Sequence, residues 1–198
     1  MIDDILDRII SNDKLHALWL NTLSYLEYVG ARKMMKSQWE EDVDYSVLEH
    51  MAEEIRHALI LKKIARKKFT LDVSNFSAAC MLEKHAAKNY FQKIDAKSSE
   101  QASSTRYAYL LTSYLIETRA LKLYGAYQNQ LKKREMFQLS PIINQEERHL
   151  QTIKCMLIDL DPALEAKQYF YLAYEEECFH EWLELLVQRL DSYESYTR

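Results

Sequence analysis

Two glycines and two prolines in 198 residues leave almost no material for tight turns. A β-sandwich or barrel needs a turn every ten residues or so, which excludes those classes. Cysteine is also sparse. Cys80, Cys155 and Cys178 are odd in number and lack framework spacing, so the expectation is reduced, mostly buried thiols and a cytoplasmic chain. No uncharged apolar run approaches the roughly 20 residues of a transmembrane helix. The first residues, Met1-Ile2-Asp3-Asp4, are acidic and lack the apolar core of a secretory leader. Positive charge is not in excess either: a formal net charge of −4 gives no bulk attraction for nucleic acid. What remains is 48% hydrophobic and 28% charged, the balance of an ordinary globule, and with so few turn formers helix should dominate.

The apolar periodicity lays out the helices. Asn12-Asp13 can cap a helix running to about Gln38, with Leu15, Leu18, Trp19, Leu23, Leu26, Val29 and Met34 on its apolar face. The acidic stretch Glu40-Glu41-Asp42-Val43-Asp44 reads as a turn into a helix over Tyr45 to Lys68, whose core face is Leu48, Met51, Ile55, Ala58 and Leu61. Ser74-Asn75 reads as the cap of a helix over 76–94, and the Ser-rich 95–104 as a loop. A further helix covers about 104–130, and a last one about 162–193 after the stop at Asp161-Pro162.

Within this frame one unit occurs twice. Glu54-Ile55-Arg56-His57 and Glu146-Glu147-Arg148-His149 each set a carboxylate and an imidazole three residues apart, on one helix face. A lone Glu stands in the apolar run upstream of each, Glu27 before the first and Glu117 before the second. The separations match closely, 27 residues from Glu27 to Glu54 and 29 from Glu117 to Glu146. The repeat also selects between neighbours. Glu53 and Glu54 both share a face with His57, but only Glu146 has the right spacing in the second copy, so Glu54 is the expected ligand and Glu53 an exposed residue. A third match, Glu177-Cys178-Phe179-His180, has no Glu-bearing partner helix and is set aside.

If the ligands of the second copy lie level on antiparallel helices, the turn falls at about residue 132. The fourth ligand helix is then expected to begin near Arg134, with Pro141 kinking it. Locally, Ser140-Pro141 reads instead as a cap and a first-turn proline. Two residues one turn before a ligand, His50 and Tyr114, are candidates to hydrogen-bond a ligand carboxylate, with His50 as a proton donor and Tyr114 as an electron relay.

The order Glu … Glu-x-x-His … Glu … Glu-x-x-His, with a long crossover between halves, resembles the ferritin-like di-iron carboxylate superfamily over about residues 13–158. The resemblance implies an all-α, ferritin-like four-helix bundle, with an extra crossover helix and a C-terminal helix, as a single domain over 1–198. It implies a dinuclear centre of two Fe ions, with Mn or mixed Fe/Mn also accommodated. Its metal ligands would be Glu27, Glu54, His57, Glu117, Glu146 and His149. Glu54 and Glu146 would bridge, Glu27 and Glu117 would be terminal, and each histidine would give one nitrogen. Such proteins include oxygenases acting on organic substrates, for which O2 or peroxide, an external electron donor and a homodimer are in range. They also include ferroxidases and rubrerythrin-like peroxide scavengers, although this chain has no Cys-x-x-Cys pair for a rubredoxin iron. The leading expectation is an oxidoreductase; iron handling is the alternative, and a metal-stabilised binding protein is the third.

Overall fold

The computed structural model describes residues 1–37, 43, 45–69 and 73–197. Among them are seven α-helices, one short 3-10 turn and no strand. The helices are α1 (Ile2–Ile10), α2 (Asp13–Ser37), α3 (Tyr45–Phe69), α4 (Lys84–Gln101), α5 (Thr105–Lys133), α6 (Ser140–Leu160) and α7 (Leu164–Thr197). The protein is all-α. The chain divides into two compact units, Met1–Lys88 with Trp182–Arg198, and Asn89–Glu181.

The first unit is built on the hairpin of α2 and α3. Asn12 caps α2 as its sequence suggests, its side-chain oxygen accepting from the amides of Lys14 and Leu15 at 3.1 Å each. The two helices are antiparallel: Ser24 Oγ donates to the carbonyl of Ala58 at 2.7 Å, while further along α2 Gly30 approaches the earlier residue Glu54. Trp19, Leu20, Leu23 and Leu61 are wholly buried, each such side chain contributing about 1.5–3 kcal/mol. The leading segment, left unassigned by periodicity, is the short helix α1; it buries Ile5, Leu6, Ile9 and Ile10 and packs on α2. Asn21 and Thr22 then hold the segment after α3. The Asn21 amide donates to the carbonyls of Asn75 and Cys80, and Thr22 bonds both backbone groups of Leu82.

The second unit is built on the hairpin of α5 and α6. Ser104 caps α5, accepting from the Tyr107 amide at 3.1 Å. Near the turn, the Gln128 side chain accepts from the Leu139 amide and Tyr127 meets Phe137 edge-on. At its centre lies a buried ion pair that periodicity did not reveal. Arg119 donates through Nε and Nη2 to the two oxygens of Glu175, at 2.8 and 2.6 Å, and stacks over Phe179. The Tyr90 hydroxyl also donates to Glu175. Burial pulls the Arg119 guanidinium down, but the Glu175 carboxylate outweighs it and holds Arg119 above its usual range. Burial, and then the charge of Glu175, push the Tyr90 phenol well up.

Several sequence expectations are corrected. The helix after the 3-10 turn Ala78–Cys80 starts at Lys84, not 76, because Asn75 turns the chain by accepting from the Ser77 amide and Glu83 takes a left-handed conformation, φ 51°. That helix then runs through most of the expected loop to Gln101. The stretch holds no Gly or Pro to break it, and Ser99 bonds back to the Asp95 carbonyl within the helix. The helix carrying Glu146 begins at Ser140 with Pro141 in its first turn, not near Arg134 with a kink. There the missing proline N–H costs nothing. Leu48 and Ile55, expected in the core, are exposed. Among the cysteines only Cys178 is buried, and Cys155 is exposed; all three are free thiols. The acidic turn, apart from Val43, lies outside the described residues.

Candidate metal centre

The inner face of α3 is polar. His50, Glu53, Glu54 and His57 are all buried, sharing that face with Met51, Ala58 and Leu61. Across the hairpin, α2 supplies Glu27, also buried. Glu27, Glu54 and His57 each offer a ligand atom, and these atoms lie within 4.8 Å of one another. His57 Nδ1 stands 3.6 Å from Glu27 Oε2 and 4.0 Å from Glu54 Oε1. Two donors bonded to one cation at about 2.1 Å are about 3.0 Å apart at right angles and about 4.2 Å apart when opposite. Both separations from His57 fall between these limits, the range that ligands of one metal ion take.

His50 extends the same cluster. Its Nε2 lies 3.3 Å from Glu54 Oε1, one turn below on the same helix. The other oxygen of Glu54 reaches over Gly30, where a Cβ would come within 3.1 Å of Oε2. Absence of a side chain on α2 therefore makes room for the carboxylate. Glu53 is buried, against the expectation of exposure. It lies beyond His57, on the flank opposite the one that Met51 and Ala58 occupy, and that flank is covered too, so being off the ligand position does not put it in solvent.

The second unit carries the other copy. Glu117 on α5 and Glu146 and His149 on α6 are buried. His149 Nδ1 lies 3.2 Å from Glu146 Oε2, and Glu117 and His149 offer ligand atoms within 4.8 Å of each other. In both copies it is thus Nδ1 of the histidine that faces a carboxylate. Glu147, Arg56 and Arg148, which the spacing turns off the ligand face, are exposed. The Tyr114 hydroxyl donates to Gln168 at 3.2 Å, so a side-chain amide of α7 is its partner. Position 142, which matches His50 in the repeat, holds a buried isoleucine.

Glu177 and His180, the third Glu-x-x-His match, are both exposed, and His180 Nδ1 lies against the Glu176 backbone carbonyl at 3.1 Å. The last two turns of α3 carry five basic residues, Lys62, Lys63, Arg66, Lys67 and Lys68. Lys62 is drawn inward, donating to Asn21 Oδ1 at 2.8 Å and sitting 3.7 Å from the Phe76 ring centre, and burial lowers its pKa. Lys63, Arg66, Lys67 and Lys68 remain exposed.

Buried carboxylates are costly unless a cation compensates them. Each unit holds a carboxylate–carboxylate–imidazole set suited in kind to a divalent metal, oxygen-rich with one nitrogen. Among the described residues no helix is long and apolar enough to cross a membrane. No protein-family model, curated protein or solved structure matches the chain, so its reading rests on these residues.

Proposed function

We propose that this protein is a ferritin-like, dinuclear non-haem metal oxidoreductase that activates O2 or peroxide to oxidise an organic substrate. Its six ligands are Glu27, Glu54 and His57 from one hairpin and Glu117, Glu146 and His149 from the other. The observation that carries this reading is the pair of buried half-sites, built by two helical hairpins in one register, each with a Glu opposite a Glu-x-x-His. Each set is short of a full coordination shell, and in this reading one dinuclear centre would draw on both.

Two ferrous ions bound there would supply the electrons for reducing O2 or peroxide. The chain's own part is to hold and shield. Buried Leu23 and Leu61, on the ligand-bearing helices of the first unit, help to exclude water and so strengthen each ligand's electrostatic contribution. Ser24, bonded to the Ala58 carbonyl, fixes α2 against α3 one turn from Glu27. His50 stands where it can give a proton to, or take one from, Oε1 of Glu54 as the charge of the site changes. Gly30 keeps α2 from crowding Oε2, since a Cβ there would stand 3.1 Å from it.

The test is anaerobic loading with ferrous iron, followed by exposure to O2 with and without an added reductant. The expected result is two irons per wild-type chain, none retained in Glu54→Ala or Glu146→Ala, and catalytic O2 consumption without growth of a mineral core. Accumulation of many irons per chain would transfer the assignment to iron storage. Failure of wild-type protein to retain any metal would remove the centre altogether.

A further inference from the structure

While α3 turns His50, Glu53, Glu54 and His57 inward, it turns a row of apolar side chains outward. Tyr45, Leu48, Ile55 and Leu59 expose between 38% and 76% of their surfaces. With the exposed Ala52 they form a stripe at 45, 48, 52, 55 and 59, the three-and-four spacing of a helix made to pack against another helix. Isolated exposed apolar residues need no explanation, but an uninterrupted stripe about 21 Å long does. Glu49 and Arg56, both exposed, rim it.

We propose that this face is a homodimer interface in which α3 packs antiparallel against α3 of a second copy, with the two-fold axis at Ala52. The sequence of the stripe is self-complementary about that residue. Tyr45 and Leu59 are each seven residues from Ala52 and so meet across the axis, and Leu48 and Ile55, four and three residues away, meet inside them. The smallest side chain lies at the crossing point, where the helix axes come nearest. Charge selects the same arrangement. Glu49 falls beside Arg56 of the partner subunit, and Arg56 beside the partner's Glu49. A parallel pairing would instead part Glu49 from Arg56 and bring Lys63 and Arg66, which continue the spacing of the stripe, level with their own copies. Antiparallel pairing also sets the two helix dipoles head to tail. A second copy of this chain thus satisfies both the apolar stripe and its rim. The interface is independent of the metal reading, since none of its residues is a proposed ligand.

Sedimentation velocity over a hundredfold range of protein concentration tests it. Wild-type protein is expected to dimerise reversibly, and Ala52→Arg, which places two cations at the axis, to be monomeric throughout. Glu49→Arg and Arg56→Glu are each expected to weaken association about tenfold, because each loss occurs twice across the axis. The double variant Glu49→Arg/Arg56→Glu, with the charges exchanged, is expected to return within about threefold of wild type. All these positions are exposed, and unchanged helical circular dichroism and Tm will show that the variants fold. A monomer at every concentration would overturn the proposal and leave the stripe to a different protein or a lipid surface. A dimer indifferent to Ala52→Arg, or not rescued by the charge exchange, would overturn it equally.

Discussion

Gly30 and Gly125 are the chain's two glycines, both inside long helices and neither at positive φ. A Cβ at Gly125 would meet nothing within 4 Å, whereas one at Gly30 would crowd Glu54 Oε2 at 3.1 Å. Alanine is better than glycine in a helix by about 0.8–1.0 kcal/mol. Gly125→Ala should therefore raise Tm by about 2–4 °C, read by differential scanning calorimetry, with metal binding unaffected. Gly30→Ala should forgo part of that gain and weaken metal binding about tenfold, the range found when a ligand's support is altered. Equal metal affinities in the two variants would show that Glu54 needs no such room. The same residues show how far spacing alone can reach. The duplicated register points to Glu54 rather than Glu53, and it separates two Glu-x-x-His pairs that are buried from Glu177 and His180, which lie exposed. It could not report that Glu53 is buried, because burial depends on which flank of a helix is covered. Arg119 and Glu175 escaped notice for a related reason: the residues are 56 positions apart, and no local pattern joins them.

At the scale of elements, helix ends were legible at Asn12 and Asp161-Pro162, but not at Ser74-Asn75, where the apparent cap turns the chain instead. They were misjudged where inference from ligand geometry replaced local chemistry. The turn between α5 and α6 is the instructive case. The α5 helix ends in a Schellman arrangement, with the Met136 amide bonded to the Leu131 carbonyl and the Glu135 amide to that of Lys132. Glu135 holds the left-handed position at φ 52° where glycine is the usual occupant. With a side chain there, sequence gives no stop signal, and the turn was placed several residues too early. An L-residue pays about 1–2 kcal/mol for this conformation. Glu135→Gly should consequently stabilise the protein by about 1 kcal/mol after allowing for the greater freedom of glycine in the unfolded chain. Glu135 is exposed and makes no contribution to the proposed centre. Urea denaturation should show a higher midpoint at an unchanged slope. A lower midpoint would mean that the side chain of Glu135 stabilises the turn by more than its backbone strain costs.

At the scale of the whole molecule, the all-α class followed from the scarcity of turn formers and needed no motif. The division into two compact units did not, because a long helix carries no mark in sequence at the residue where its neighbours change: one boundary falls inside α4 and another inside α7. Those units sharpen what the proposed centre must do. Three of the proposed ligands belong to each, so a single dinuclear site would couple them thermodynamically, whereas two separate mononuclear sites would not. Metal present at a hundred times its dissociation constant adds about 2.7 kcal/mol to the stability of whatever it binds, or about 5–10 °C in Tm for a chain of this length. With manganese or cobalt added to metal-free protein, calorimetry should show that shift in wild type and its restoration to the starting value by chelator. Glu54→Ala, in the first unit, and Glu146→Ala, in the second, should each abolish the entire shift. If each variant instead lost only part of it, with one metal still bound per chain, the half-sites would be acting alone. The six-ligand centre would then have to be given up, although each unit's own cluster would stand.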